Sequence, residues 1–136
     1  MVEKLERLLG SIPGKNICAL GVAFKAETDD IRESPSVDII KILLQKGAHI
    51  NLHDPQALEN AKNLFGNAVN YYEDMYQAMK DCSAIVILTE WHAYRNLDLE
   101  KASSFLKQKI ILDTRNVLDP QTCHQAGFMY EGVGRG

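Results

Sequence analysis

The stretch I-C-A-L-G-V-A-F-K-A-E-T-D-D-I-R-E-S-P, Ile17 to Pro35, decides how the rest of the chain is read. Its first four residues, Ile17 to Leu20, form an apolar run of the kind a buried parallel strand requires. Gly21 ends the run, where the backbone must turn or admit a close approach. A polar loop follows, carrying Lys25, Asp29, Asp30, Arg32 and Glu33. Ser34 then has the chemistry of a helix N-cap, and Pro35 suits the first helical position. In open α/β sheets a loop between strand and helix stands at the carboxyl ends of the strands, where ligands bind. Lys25 and Arg32 in it fit an anionic ligand or, alternatively, surface pairs with Asp29, Asp30 and Glu33.

The chain of 136 residues suits one domain, and its 46% apolar share is enough for one core. Lys and Arg number 15 and Asp and Glu 18, a formal charge of −3. With no basic bias, nucleic acid is not an expected partner. No apolar run reaches about 18 residues, so no membrane helix is expected. The N-terminal M-V-E-K-L-E-R-L-L-G mixes charges where a signal peptide is apolar. Cys18, Cys82 and Cys123 are far apart and odd in number, with no C-x-x-C. A reducing cytoplasm is the expected compartment. Cys18, inside an apolar strand, reads as a small core residue rather than a nucleophile. His49, His53, His92 and His124 lack metal-ligand spacing, so no metal is expected. No nucleophile elbow or Ser-His-Asp order appears.

Val2, Leu5, Leu8 and Leu9 have helical spacing over residues 2–9. A helix so short is marginal alone, and its apolar stripe needs a surface to cover. Strand 1 is expected at about 17–22. The helix after Pro35 puts Val37, Ile40 and Leu44 on one face and ends at Lys46-Gly47. Further strands are expected over Ala48–Leu52, Ala68–Tyr71, Ala84–Leu88, Ile110–Leu112 and Phe128–Tyr130. Helices are expected over about 56–65, Asp74–Lys80 and Asp98–Leu106, with Met75 and Met79 in the core. Gly132 to Gly136 reads as a flexible end. Alternation of strand and helix means an α/β, three-layer domain. Six strands suit a mostly parallel sheet in the Rossmann-type order 3-2-1-4-5-6. The order reverses between strands 1 and 4. The ends Gly21–Lys25, Thr89–Trp91 and Asp113–Arg115 line that crevice, the expected binding site.

A dinucleotide fold places G-x-G-x-x-G after strand 1. Here Gly21-Val22-Ala23-Phe24-Lys25-Ala26 has only the first glycine, and the loop is long. A side-chain anion site replaces that fingerprint, with Lys25 and Arg115 as charged donors. Asp54 reads either as a ribose-binding acid or as an ordinary Asp-Pro turn. Trp91 either stacks on a base or caps the core.

G-V-A-F-K-A-E-T-D-D-I-R-E-S-P-S, Gly21 to Ser36, resembles the nucleotide-sugar-binding segment of UDP-glucose/GDP-mannose 6-dehydrogenases. The likeness continues in G-A-H-I-N-L-H-D-P (47–55), I-V-I-L-T-E-W (85–91) and I-L-D-T-R-N-V-L (111–118). The resemblance implies a C-terminal, Rossmann-like UDP-sugar domain over residues 15–136. Residues 1–14 would be the tail of a central helix with its linker. It also implies that Phe24, Lys25 and Arg115 contact the substrate, and that Arg32 reaches NAD phosphates across a domain cleft. NAD is then the cofactor, bound mainly by a separate N-terminal domain, in an enzyme expected to be a homo-oligomer. Family members oxidise the sugar C6 alcohol to a carboxylate through a thioester-type intermediate on a cysteine of a glycine-rich motif. None of Cys18, Cys82 and Cys123 lies in such a motif, so this chain alone is expected not to catalyse. The alternative is a free-standing nucleotide-binding or regulatory module. The identity of the sugar is open among UDP-glucose, UDP-N-acetylhexosamines and GDP-mannose.

Overall fold

The computed structural model describes residues 2–23, 28–32 and 34–132. Six strands make one parallel sheet: β1 (Asn16–Leu20), β2 (His49–His53), β3 (Asn70–Tyr72), β4 (Ala84–Ile87), β5 (Ile110–Asp113) and β6 (Met129–Gly132). Their order is β3-β2-β1-β4-β5-β6, the expected one. Every residue of β4 and β5 is buried, as are all of β1 but Asn16. A parallel strand covered on both faces needs such a continuous apolar run.

The connections are α2 (Pro35–Gln45), α3 (Leu58–Phe65) with a 3-10 turn at Gly66–Ala68, α4 (Met75–Ala78), α5 (His92–Arg95), α6 (Leu99–Phe105) and α7 (Pro120–Gln125); α1 (Val2–Leu9) precedes β1. Ser34 caps α2 as expected, its Oγ accepting from the Ser36 amide at 3.2 Å. Asp74, Asp98 and Asp119 cap α4, α6 and α7 in the same way. α2 stops at Lys46, and Gly47 supplies the left-handed turn at φ +91°. Two helices go beyond the sequence expectation. α5 is one turn, and α7 begins at an Asp-Pro pair whose capping signal is plain but whose apolar period is too short to register. β3 sits slightly later than expected. Residues 133–136 of the expected flexible end lie outside the described residues, and Gly132 closes β6.

Right-handed crossovers place α2 and α3 on one face and the helices after β3 on the other. That rule leaves the α2 face of β5 without a crossover helix. α1 lies there, packed on β5 and α2, with Val2, Leu5 and Leu9 buried. Its apolar stripe therefore finds its cover within this chain. Lys46 pairs with Glu6 at 3.0 Å, tying α1 to the end of α2. Cys18, Cys82 and Cys123 are all buried free thiols, and burial pushes the Cys82 thiol up to about 12. Met79 is fully buried and Met75 packs against the same core.

Candidate functional site at the switch point

β1 and β4 are neighbours, and the chain leaves them in opposite directions. Gly21 follows β1 at φ +98°, and a Cβ there would stand 2.5 Å from the Thr89 side chain. Only glycine lets the β1 and β4 exits approach so closely. The next two residues are held at each backbone polar atom. Val22 N and Ala23 N donate to Asp54 Oδ2 at 2.9 and 3.2 Å. Ser34 Oγ donates to the Val22 carbonyl at 3.0 Å, and Thr89 Oγ1 to the Ala23 carbonyl at 3.0 Å. The entrance and exit of the long loop are thereby tied together through Ser34. Phe24 and Lys25, expected to meet the substrate, lie outside the described residues.

Asp54 also accepts from Gln56 N and Ala57 N at the start of α3, at 2.9 and 2.8 Å, and from Trp91 Nε1 at 3.2 Å. A carboxylate so engaged is a structural acceptor, which decides for the turn over the ribose contact. Trp91 is 4% exposed and caps the core. Three residues on, Tyr94 donates to the His53 carbonyl at 3.1 Å, and its oxygen lies 2.9 Å from His53 Nδ1. A hydroxyl has one proton; with it on the carbonyl, Nδ1–H is the donor in the second contact. Burial lowers the His53 pKa, with Asp54 and Asp74 pulling the other way. The segment after β4 thus crosses the end of β1 and docks on the end of β2. It fills the side of the crevice where a dinucleotide's ribose meets a strand-end acid in other sheets of this order.

The β4–β5 side is built differently. Asp113 is fully buried and accepts from Arg115 N at 3.1 Å, Leu118 N at 2.8 Å and Tyr130 Oη at 2.8 Å. Asn116 turns left-handed at φ +55°. Arg115 Nε reaches back to the Leu88 carbonyl at 3.2 Å, and Nη1 stands 3.1 Å from Glu90 Oε2. Ser36 Oγ donates to the same Leu88 carbonyl at 2.9 Å. The Arg115 guanidinium, part-exposed, therefore lies over the exit of β4 near the first turn of α2. That arrangement suits an anion.

Arg32 is elsewhere. Its guanidinium is exposed and grips Asp30 with two bonds of 3.1 Å. Asp30 holds the guanidinium charged, and Arg32 in turn lowers the Asp30 pKa. Asn60 Nδ2 donates to the Asp29 carbonyl at 2.7 Å, and residues 28–32 with Asn60 line an open cleft of about 570 Å³. The structure thus brings Arg115 to the switch point and leaves Arg32 on the outer loop. Sequence reasoning missed Glu90 and the Asp54 hub. Glu90 had a signal: opposite charges at the ends of adjacent strands β4 and β5. Among the described residues no His, Cys, Asp or Glu cluster could hold a metal. Nor is any of their helices long and apolar enough to cross a membrane.

Comparison with known proteins agrees with this fold. The model for the UDP binding domain of the UDP-glucose/GDP-mannose dehydrogenase family matches residues 18–120. UDP-glucose 6-dehydrogenase TuaD of Bacillus subtilis is 42% identical over 135 residues, 99% of this chain and 29% of that protein. The structure of a UDP-glucose dehydrogenase from Pyrobaculum islandicum superposes with a TM-score of 0.84 at 36% identity, over 99% of this chain and 29% of that one. An NDP-N-acetyl-D-galactosaminuronic acid dehydrogenase from Methanosarcina mazei also gives 0.84, at 31% identity, over 98% of this chain and 27% of that one. The chain spans less than a third of the length of these relatives. The match covers the whole switch-point edge, from β1 through Arg115 to the start of α7. By that match, the chain belongs to the UDP-glucose/GDP-mannose dehydrogenase family, as its UDP binding domain.

Proposed function

We propose that this chain is the nucleotide-sugar-holding part of an NAD-dependent 6-dehydrogenase that oxidises a sugar C6 alcohol to a carboxylate. Residues 15–136 form the binding domain, and residues 1–14 form the tail of a central helix with its linker. The observation that carries the reading is Arg115, whose guanidinium is drawn over the β4 exit by Leu88 and Glu90. A charged donor there, beside the first turn of α2, is suited to the diphosphate of a UDP-sugar. Phe24 and Lys25, in the loop whose base Asp54, Ser34 and Thr89 hold, are assigned to the same ligand.

NAD does not fit this chain's own crevice. Asp54 is committed to amides and Trp91, and the fingerprint glycines after Gly21 are replaced. NAD is therefore assigned to another domain of the enzyme, toward which Arg32 offers an exposed guanidinium. Homo-oligomeric assembly, work in the cytoplasm and a place in polysaccharide precursor synthesis belong to the same reading. The three buried free thiols support a reducing compartment.

The test is calorimetric titration of the chain with UDP, UDP-glucose, UDP-N-acetylglucosamine and GDP-mannose. We expect weak binding of at least one nucleotide sugar and of UDP, and a loss of about tenfold or more for Arg115→Ala. Absence of any binding, or an unchanged affinity in the variant, sinks the reading. The chain alone is expected to reduce no NAD with any of these sugars, because it presents one wall of a site that must enclose its substrate.

A further inference from the structure

Arg115 has a fixed orientation, and the fixing comes from a residue to which no role has been given. Its backbone is set by β5: the amide donates to the buried Asp113 carboxylate, and the chain turns sharply at Asn116. Its side chain is set by β4: Nε bonds the Leu88 carbonyl, and Nη1 faces the Glu90 carboxylate at 3.1 Å. The side chains of both members of that pair are about one-third exposed, 30% for Arg115 and 29% for Glu90. The pair is therefore neither a solvated surface contact nor a sealed core ion pair.

From this geometry we infer that Glu90 is a positioning residue for the nucleotide diphosphate, acting through Arg115. The inference rests on the assignment of Arg115 to that diphosphate. A free arginine side chain loses several rotamers when it grips a ligand. Here Glu90 and Leu88 remove that freedom before the ligand arrives, so less affinity is lost on binding. Glu90 also acts in the opposite sense, since its carboxylate is a like charge beside an incoming diphosphate. The two effects give opposite affinity orders. The 3.1 Å contact between Nη1 and Oε2 is an ion pair in which Oε2 accepts no hydrogen bond, so orientation depends on the carboxylate charge, which a glutamine lacks. Positioning therefore places Glu above both Gln and Ala. A competitor for Arg115 gives Ala above Glu.

The experiment is calorimetric titration of UDP into the parent chain and into Glu90→Ala, Glu90→Gln, Arg115→Ala and the Glu90→Ala/Arg115→Ala double variant. We expect Glu90→Ala to weaken UDP by about fivefold, within what freezing one long side chain is worth. Glu90→Gln weakens UDP to a similar extent, because the neutral amide loses the ion pair with Arg115. In the Arg115→Ala background Glu90→Ala costs nothing more, because its effect passes through that arginine. A general loosening of the domain would instead weaken both backgrounds alike. Unchanged or tighter binding by Glu90→Ala, parent-like binding by Glu90→Gln, or an additive double variant overturns the inference while Arg115→Ala still loses UDP. If Arg115→Ala binds UDP like the parent, the diphosphate assignment itself falls, and the role of Glu90 with it.

Discussion

Asp54 and Asp113 stand at matching places, one strand out from the switch point on either side, yet they fasten different things. Asp54 joins three separate segments: the loop base after β1, the start of α3, and Trp91 beyond β4. Asp113 joins its own turn to Tyr130 of β6. On the first side the carboxylate seals the crevice with an indole. On the second it shapes a turn from which Arg115 reaches back across β4. The same side chain in the two halves of one fold thus closes one half and arms the other. What differs is the segment after β4, which docks Trp91 and Tyr94 toward β2 and offers Glu90 toward β5.

The largest effect tests that difference directly. Asp54→Ala strands buried amide donors on two segments and the Trp91 N–H. We expect about 3 kcal/mol or more of lost stability in urea unfolding. Asp113→Ala is expected to cost about 2 kcal/mol, since its partners lie within one turn and one neighbouring strand. Equal losses would erase the contrast between a three-segment hub and a turn acceptor.

Trp91→Phe isolates one spoke of the hub. It removes the N–H donor and part of a buried ring, for an expected loss of about 1–2 kcal/mol. A melt unchanged from the parent would mean that the indole is not what seals the β2 side.

A smaller, pH-dependent effect belongs to the same side. Burial holds the His53 pKa below its ordinary value, so the folded chain takes up that proton less readily than the unfolded one. The stability contribution is present above the unfolded-state value, about 6.5, and is lost as pH falls below it. We expect unfolding free energy to decline from neutral pH into the acid range, with a shallower slope for His53→Gln. Identical slopes would show that His53 does not carry the dependence.

The smallest effect is expected at Arg32. Its pair with Asp30 is exposed and local, so Arg32→Ala is expected to leave the melting temperature unchanged. In an enzyme containing this domain the same change should raise the Michaelis constant for NAD more than that for the sugar nucleotide. The reverse pattern would move Arg32 to the substrate side.

Much of this architecture is legible in the linear chain. Apolar runs such as Ile17–Leu20 and Ala84–Leu88, with Ser34-Pro35 and Lys46-Gly47 between them, are local signals of buried strands and helix ends. Alternation and handedness then leave few strand orders, and the observed order is the expected one. α7 escaped because its Asp119-Pro120 cap opens a helix of only 6 residues, too short for a periodic face to show. α1 was visible as a stripe, but nothing near it in the chain says that β5 is the bare surface it covers.

The side-chain alternatives had another fate. Whether Asp54 meets a ribose or a turn, and whether Trp91 stacks on a base or caps the core, depends on partners 37 residues apart that meet only when β4 folds beside β1. The pairing of Arg115 with Glu90 depends likewise on β4 lying next to β5. Sequence alone determined the elements and their order, because propensity, capping and hydrophobic period act over a few residues. Tertiary structure decided which strand-end charge closes the crevice and which is presented in it, because a carboxylate takes its role from whichever donors the fold brings within hydrogen-bonding distance.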